Sequence, residues 1–323
     1  MRALICGGNP ATWRLTEVPE PAFGPADVLV DVVAAGLNRA DLLMRTGGYL
    51  PTSDDWDVPV NRVGFEMAGR VRAAGPEVVA LRPGDRVMAQ TGGACADVVA
   101  VDHRLTLPVP EHLSWPQAAG LPSALLTEFD ALRNVATLAP NENVLITGAS
   151  SGVGLVGIQL ARVFGASSIV GTTRSTAKAS LLRSLGATAV LDTRTRTCAP
   201  AEAMDVVLDH VGGPGLAELL RYTAYRARIV QIGRLAGEQA TIDLELLAAK
   251  RLQLLGTTFR GRQAQELHEL VARIRQDLPM LTAEHGVRAV VESTFDITEA
   301  EQAAARLAAP DLAGKVVLRL TGQ

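Results

Sequence analysis

Cysteine is scarce in this sequence, and neither sign of charge is in marked excess. The 323 residues include three cysteines, Cys6, Cys95 and Cys198. They are too few and too scattered to form a disulfide framework or a CxxC pair. The 31 Lys and Arg residues against 34 Asp and Glu give a net charge of −3, so no basic surplus is available to neutralise a nucleic-acid backbone. We therefore expect a reduced protein that does not bind nucleic acid.

Long apolar runs are also missing. The apolar run at the N-terminus ends at Gly7 and Gly8 and is shorter than the roughly 7–15 residues of a secretory signal core. No uninterrupted apolar stretch approaches the roughly 20 residues that a transmembrane helix needs. We expect a cytoplasmic protein without a membrane segment.

The residues that are present suffice for two folded domains. A length of 323 residues corresponds to about two domains, and 48% hydrophobic with 20% charged residues is a normal globular composition. In the first part of the chain, short β-branched segments alternate with Gly and Pro turns, which predicts a barrel-like β domain. The predicted strands cover residues 27–35, 69–74, 86–89 and 96–101.

Beyond about residue 120 the pattern changes to strands that alternate with helices. This alternation predicts a doubly wound parallel sheet, and therefore an α/β fold overall. The predicted strands cover residues 144–147, 169–173, 190–191, 206–208 and 229–232, and the helices residues 155–164, 177–185 and 216–220. Gly186 is the expected C-cap of the second helix. From about residue 256 we predict a helix, a strand at 289–292, a helix at 298–308 and a strand at 315–320.

A glycine-rich turn follows the first strand of the predicted parallel sheet, and a helix follows the turn. This is the context that a dinucleotide-binding fingerprint requires. Small residues let the backbone turn tightly and approach a pyrophosphate, and the helix N-terminus presents free N–H groups to it. The expected cofactor-binding residues of the turn are Ser150, Ser151, Gly152, Val153 and Gly154. Gly154 and Gly157 should let the helix pack closely on the sheet. The alternative is a strand-to-helix turn that binds nothing.

The end of the next strand indicates which dinucleotide is bound. NAD sites usually place Asp or Glu about 20 residues beyond the turn to bind the ribose hydroxyl. Residues 171–178 contain no acid but include Thr173, Arg174 and Lys178, which suit the 2′-phosphate of NADPH. The alternative is that both cations are merely solvated. Because cations at a helix start oppose the helix dipole, we favour NADPH over NADH.

With these motifs in place, the sequence resembles the medium-chain dehydrogenase/reductase superfamily, in particular its zinc-independent quinone oxidoreductase branch. The resemblance covers nearly the whole chain and is carried by blocks in a fixed order, at residues 35–41, 64–69, 83–87, 149–154, 205–209 and 314–318. It implies a GroES-like β-barrel substrate domain, residues 1–122 and 256–323, interrupted by a Rossmann NADPH-binding domain, residues 123–255. It also implies an active site in the cleft between the domains and a homodimer.

The resemblance also indicates that catalytic zinc is absent. Zinc-dependent relatives place a Cys where this chain has Asn38, a His where it has Phe65, and a third Cys near Ser123. A structural zinc site needs four ligands, typically cysteines, and three cysteines do not supply them. We therefore expect no metal.

Without a metal, the acceptor should be a quinone or a similar conjugated carbonyl, which takes up hydride readily because the charge spreads to oxygen. The protein then mainly positions the nicotinamide and donates hydrogen bonds to that oxygen. The resemblance assigns this side of the site to Asn38, Tyr49 and Thr127. Each has a simpler alternative: a polar loop residue, a surface aromatic, and a helical hydroxyl bonded to its own backbone.

Other positions follow from the resemblance more weakly. Ile232 and Gly233 should pass close to the nicotinamide, and Phe259 should offer backbone to its carboxamide. Asp41 and Glu66 are expected to hold loops rather than to exchange protons.

Two departures from the family pattern bear on the acceptor. Glu128 stands where a small residue is expected and is predicted to face the cleft, and Arg62 lies in a stretch that is usually apolar. Two other functions therefore stay open: an enoyl or alkenal double-bond reductase, and an NADPH-binding protein with a non-redox role.

Overall fold

The chain forms two compact units in a computed structural model, which describes residues 1–9, 11–47, 61–194, 200–283 and 286–320. The first unit takes the described residues of Met1–Leu126, Arg260–Ala283 and Arg288–Gln323, and the second those of Thr127–Phe259 and Glu284–Val287. The family-based boundaries at 122/123 and 255/256 stay a prediction. Among the described residues, no helix has the length and apolar content that crossing a membrane requires.

The secondary structure runs as follows along the chain. The first stretch contains β1 (Arg2–Gly7), β2 (Thr12–Glu17), β3 (Asp27–Leu37), α1 (Arg39–Met44), β4 (Glu66–Ala74), β5 (Arg86–Gln90), β6 (Val98–Asp102), β7 (Thr106–Pro108), α2 (Trp115–Ala119) and α3 (Pro122–Phe129). The middle stretch contains β8 (Asn143–Ile146), α4 (Gly152–Val163), β9 (Ser168–Thr173), α5 (Ala179–Leu185), β10 (Ala189–Asp192), β11 (Met204–Asp209), α6 (Leu216–Leu219), β12 (Thr223–Gln231), α7 (Leu244–Ala249) and β13 (Gln253–Gly256). The last stretch contains α8 (Ala264–Leu281), β14 (Val291–Asp296), α9 (Ala300–Ala308) and β15 (Lys315–Arg319).

The first unit is built on a mainly antiparallel, seven-stranded sheet. Its strand order is β14-β15-β3-β4-β5-β7, and β6 also pairs with β3. The inward residues of β3, such as Val28, Val30 and Val32, are fully buried, as the alternation in the sequence predicts. The strand predicted at 289–292 is wrong in its bounds, because β14 begins at Val291 and runs to Asp296. Pairing with β15 up to Arg319 sets this length.

The second unit contains a six-stranded sheet in the order β10-β9-β8-β11-β12-β13. Every neighbouring pair in it is parallel. Counted from β8, the order is 3-2-1-4-5-6, that of doubly wound dinucleotide-binding folds. The prediction of a doubly wound parallel sheet is therefore confirmed. The chain reverses its direction of winding between β8 and β11, and ligands of such sheets bind beyond the carboxyl ends of the strands at that point.

Helix ends in the second unit follow local sequence signals. The α5 helix ends at Leu185, and its C-cap is Gly186, whose φ of 120° favours glycine, so the predicted C-cap is confirmed. The α4 helix begins at Gly152, three residues before its predicted start. Its N-cap is Ser151, whose Oγ accepts a hydrogen bond from the Gly154 N–H, and such a cap lets the helix begin within the glycine-rich turn.

Candidate functional site

The glycine-rich turn joins β8 to α4 at the carboxyl edge of the parallel sheet. Gly148 has a φ of 57°. A Cβ on Gly154 would lie 2.7 Å from Ala149 Cα, so the first turn of α4 approaches the loop as only glycine allows. The Ser151 Oγ satisfies the Gly154 N–H at 3.0 Å. This backbone cradle before a helix N-terminus fits the pyrophosphate of a dinucleotide.

The end of β9 lies against this turn. The Ala149 N–H donates to the Thr172 carbonyl at 2.9 Å, and the hydroxyls of Ser150 and Thr173 lie 3.5 Å apart. Arg174 follows and is exposed, and Lys178 is half-buried in the short 3₁₀ turn that leads into α5. The structure thus brings Ser150 of the predicted turn next to Thr173 of the predicted strand end, and Arg174 and Lys178 follow Thr173 along the chain.

The ends of β11 and β12 complete the same edge. The Asp209 Oδ1 accepts hydrogen bonds from the Thr147 hydroxyl at 2.8 Å and from the N–H groups of Val211 and Gly212. The N–H groups of Ile232 and Gly233 both donate to the Asp209 carbonyl. Asp209 therefore ties the turn after β8 to the segment after β12.

A Cβ on Gly233 would collide with the His210 carbonyl oxygen, so this close approach requires glycine. Phe259 lies three residues beyond the end of β13 and is half-buried. The three residues predicted to pass the nicotinamide and its carboxamide, Ile232, Gly233 and Phe259, thus all follow strands of the parallel sheet.

Glu128 differs from its expected position. Thr127 is half-buried on α3, but the next residue, Glu128, is fully buried and forms a hydrogen-bonded ion pair with His210 Nε2. The prediction that Glu128 faces the cleft is therefore wrong, because its carboxylate finds a partner inside the second unit.

Asn38 belongs to the first unit, where its side-chain amide is held by charged groups. Its Nδ2 donates to Glu66 Oε1 at 2.9 Å, and its Oδ1 accepts from Lys315 Nζ at 2.7 Å. Lys315 also forms an ion pair with Glu66, and the side chains of the pair are 3% and 0% exposed. The amide is therefore oriented by two charged side chains.

Two buried carboxylates hold the loops around Asn38. Glu66 Oε2 accepts the Ser123 N–H at 2.8 Å. Asp41 accepts the N–H of Asn38 at 2.7 Å and that of Gly64 at 2.9 Å. Burial raises the pKa of Asp41 to about 7, while the two backbone N–H groups and Lys315 oppose this shift. Both acids thus have the loop-holding contacts that the sequence predicts.

The positions of the zinc ligands in zinc-dependent relatives carry Asn38, Phe65 and Ser123. Zinc is usually bound by thiolate, imidazole and carboxylate groups. Here the Asn38 amide is hydrogen-bonded to Glu66 and Lys315, and Phe65 and Ser123 provide a buried phenyl ring and a buried hydroxyl. The described residues also contain no group of three or more His, Cys, Asp or Glu side chains able to hold a metal ion. These residues do not fit zinc.

Sequence reasoning missed the partners of two key residues. Lys315 was part of a family block but had no assigned role, although a lysine within an apolar strand is a signal for a buried acid. His210 also had no assigned role. Tyr49, predicted near the acceptor, lies outside the described residues.

Family models match both parts of the chain. Residues 24–111 match the alcohol dehydrogenase GroES-like domain, and residues 152–276 match the model described as zinc-binding dehydrogenase. With the parallel sheet of the second unit, these matches confirm the predicted combination of a GroES-like and a Rossmann domain.

Among curated relatives, the chain is similar to proteins of very different length. It is 30% identical to quinone oxidoreductase-like protein 2 of Mus musculus, over 82% of this chain and 77% of the relative. It is 35% identical to the spectinabilin polyketide synthase system protein NorB of Streptomyces orinoci, over 97% of this chain. The chain spans 14% of the length of NorB and 9% of that of the pikromycin polyketide synthase component PikAII of Streptomyces venezuelae.

Solved structures show the same architecture. The quinone oxidoreductase from Thermus thermophilus, described with its NADPH complex, has a TM-score of 0.80 and 30% identity, over 99% of this chain and 100% of that one. The CurK enoyl reductase has a TM-score of 0.81 and 25% identity, over 99% of each chain.

Proposed function

Because the chain belongs to the quinone oxidoreductase-like proteins of the medium-chain dehydrogenase/reductase superfamily, we propose that it reduces a quinone or similar conjugated carbonyl with NADPH and without zinc. The observation that carries this proposal is the glycine turn after β8, tied to an acid-free end of β9. An oxidoreductase of this superfamily needs a nicotinamide cofactor, and this edge of the sheet has the backbone and side chains to hold one.

On the cofactor side, the turn residues Ser150 to Gly154 are proposed to hold the pyrophosphate. Thr173, Arg174 and Lys178 are proposed to hold the 2′-phosphate, since hydroxyls and cations there replace the acid that would repel it. Ile232, Gly233 and Phe259 are proposed to line the nicotinamide half. When bound, NADPH supplies the hydride, and these residues fix its position.

On the acceptor side, Asn38 is proposed to donate a hydrogen bond to the acceptor oxygen. An amide carries two N–H groups, and the contact with Glu66 accounts for one of them. Lys315 draws electron density from the Asn38 oxygen, which strengthens the remaining N–H as a donor because hydrogen bonds in a chain polarise one another. Tyr49 and Thr127 remain proposed neighbours of the acceptor and the nicotinamide.

A panel of acceptors tests the proposal against its main alternative. The similarity to the CurK enoyl reductase favours enoyl or alkenal reduction as a second candidate function. Initial rates of NADPH loss should be compared for ortho- and para-quinones, alkenals and enoyl thioesters at equal concentration. We expect quinones to give a kcat/KM at least about tenfold above the other acceptors, a difference of ~1.4 kcal/mol in the barrier. A reversed ranking would favour the enoyl or alkenal reductase.

Self-association is a further part of the proposal, and a cytoplasmic location also remains a prediction. Among the described strands, β13 forms one edge of the parallel sheet and β10 the other. Leu254 on β13 is 41% exposed, and Tyr225 on β12 and Leu244 on α7 are 61% and 68% exposed. An unprotected apolar edge strand favours pairing with another strand, and the occupant proposed here is the same strand of a second copy.

Leu254→Lys should therefore weaken a homodimer by at least about tenfold, because a charged side chain blocks edge pairing. Sedimentation equilibrium of the two proteins measures this. Val79→Lys is the matched control, since Val79 is an exposed apolar residue of the first unit. A monomeric parent protein, or a dimer that Leu254→Lys leaves intact, would contradict the proposed interface.

A further inference from the structure

The second unit contains a buried acid–base pair that the proposed reaction does not use. Glu128 on α3 and His210 after β11 are 0% and 7% exposed. The Glu128 Oε1 contacts His210 Nε2, and the other ring nitrogen, Nδ1, lies 2.9 Å from the Thr147 backbone carbonyl. Thr147 directly precedes the turn assigned to the dinucleotide.

The contacts determine how many protons the pair holds. A backbone carbonyl only accepts hydrogen bonds, so His210 Nδ1 must carry a proton. The Nε2–Oε1 contact then holds one further proton, which belongs either to an imidazolium facing a carboxylate or to a carboxylic acid facing a neutral ring. In both forms the pair has no net charge. Loss of that proton would leave a ring lone pair against a carboxylate, with a net charge of −1.

Glu128 of the pair also packs against α4, the helix whose N-terminus is proposed to bind the pyrophosphate. A Cβ on Gly157 of α4 would collide with Glu128 Oε2. The sequence predicted that Gly157 serves close packing on the sheet, and Ile146 Cδ1 is indeed 3.5 Å from that Cβ position. The nearer neighbour, however, is the carboxylate. Among the described residues, Glu128 Oε2 has no hydrogen-bond partner, so His210 is what stabilises this acid.

Direct proton donation to a substrate does not fit this geometry. Both ring nitrogens of His210 already face protein atoms, Thr147 O and Glu128 Oε1. The Thr147 hydroxyl also donates a hydrogen bond to the Asp209 carboxylate and accepts one from the backbone N–H of His210. The pair is therefore linked to the ends of β8 and β11, between which the sheet changes its direction of winding.

We propose that Glu128 and His210 are positioning residues for the dinucleotide: the Nδ1–H of His210 holds Thr147 in place, and the proton shared with Glu128 keeps a second negative charge from developing beside that of Asp209. The inference rests on the proposed cofactor site. A pyrophosphate and a 2′-phosphate bind less well when a buried negative charge develops beneath their turn, so the affinity for NADPH depends on the proton of the pair.

The direction of the pH effect follows from the surroundings of His210. Burial alone would lower the pKa of the imidazole, but the Glu128 carboxylate, the Thr147 carbonyl and Asp209 outweigh it and raise the pKa above its ordinary value. The charged groups facing the ring are Glu128 from α3 and Asp209 from β11. The neighbours on β8 and α4, Thr147 and Gly157, are uncharged. NADPH affinity should thus be full below the raised pKa of His210 and fall as the pH rises through it.

The variant Glu128→Gln keeps the size and hydrogen bonding of the side chain but removes its negative charge. The Gln amide can donate to Nε2 of a neutral His210, which keeps its Nδ1–H for Thr147, but no negative charge can develop. Titrations of NADPH should run from pH 7 to 9.5, above the second phosphate ionisation near pH ~6. We expect the Kd of the parent protein to rise about tenfold over this range, as an added unit charge predicts in a medium of effective dielectric about 20. The Kd of Glu128→Gln should change less than about twofold.

Two further variants complete the design. Glu128→Gln combined with His210→Ala leaves no charge at the positions of the pair but removes the donor to Thr147, and should weaken NADPH binding about tenfold at pH 7, the equivalent of one lost hydrogen bond. His268→Gln is the control, because this histidine pairs with Asp102 in the first unit and should leave every Kd unchanged. Urea unfolding of each variant checks that it is folded during the titrations.

The outcomes separate the two levels of the proposal. Identical pH profiles for the parent protein and Glu128→Gln would overturn the role of the pair and leave the cofactor site standing. Failure of the parent protein to bind NADPH or NADH at any pH would overturn the cofactor site itself. The proton count is tested without cofactor by ¹⁵N spectra of labelled histidines, in which His210 should keep a protonated Nδ1 throughout. An unprotonated Nδ1 at neutral pH would contradict it.

Discussion

Replacing both Arg174 and Lys178 by alanine is expected to weaken NADPH binding by about 100-fold while changing NADH binding by less than about threefold. Each cation would form a charge-assisted hydrogen bond worth ~1.5–3 kcal/mol with the 2′-phosphate, and a tenfold change in affinity corresponds to ~1.4 kcal/mol. NADH has no 2′-phosphate, so it loses only the weaker long-range attraction. Isothermal titration with both dinucleotides measures the two effects.

Arg183→Ala is the matched control for this double variant. Arg183 is an exposed cation in the last turn of α5, so its loss changes the net charge of the same region without touching the proposed phosphate site. The double variant could weaken the binding of NADPH and NADH equally, or weaken NADPH binding no more than Arg183→Ala does. Either result would contradict the proposed preference for NADPH.

Lys315→Met is expected to destabilise the first unit by about 3–5 kcal/mol, because removal of one partner of a buried ion pair leaves an uncompensated charge. The charge in question is that of Glu66, to which, in the part of the chain that the structure describes, the hydrogen bonds from Asn38 and Ser123 would remain. Urea unfolding followed by tryptophan fluorescence measures the effect, since Trp13 and Trp115 lie in the first unit.

Two further variants test whether the loss of stability in Lys315→Met comes from the buried ion pair. Arg72→Met breaks ion pairs with Glu20 and Asp31, whose side chains are 54% and 43% exposed, and should cost at most ~1 kcal/mol. In the double variant Glu66→Gln/Lys315→Met neither charge of this pair remains, so at least about half of the lost stability should return. If Lys315→Met costs no more than Arg72→Met, or if Glu66→Gln restores nothing, the buried pair does not hold the Asn38 loop as described.

The local part of the structure was accessible from the sequence. The strand, turn and helix from β8 to α4 and the C-cap at Gly186 depend on residues within a few positions of one another, and local propensity and capping dictate them. Even there, the start of α4 was placed too late, because the cap formed by Ser151 lets the helix begin within the glycine turn. Such a cap outweighs the poor helix propensity of glycine at this position.

The contacts that define the site chemistry were not accessible in this way. Glu128 and His210 are 82 positions apart, and Glu66 and Lys315 are 249 apart. Composition and periodicity identify buried positions but do not indicate which buried charge meets which. Glu128 stood out only as a large residue where a small one was expected, and its partner became visible when the parallel sheet brought α3 and the end of β11 together.

NADPH oxidation by metal-analysed protein in the presence of a quinone tests the proposed reaction most directly. Absorbance of NADPH should be followed with and without enzyme and with NADH in place of NADPH. The variant Asn38→Ala tests the proposed hydrogen bond to the acceptor oxygen. We expect enzyme-dependent loss of NADPH at less than stoichiometric zinc, unchanged by chelator, with a lower kcat but similar NADPH affinity for Asn38→Ala. Tight NADPH binding without consumption of any acceptor, or activity that disappears with chelator, would contradict a zinc-free quinone reductase.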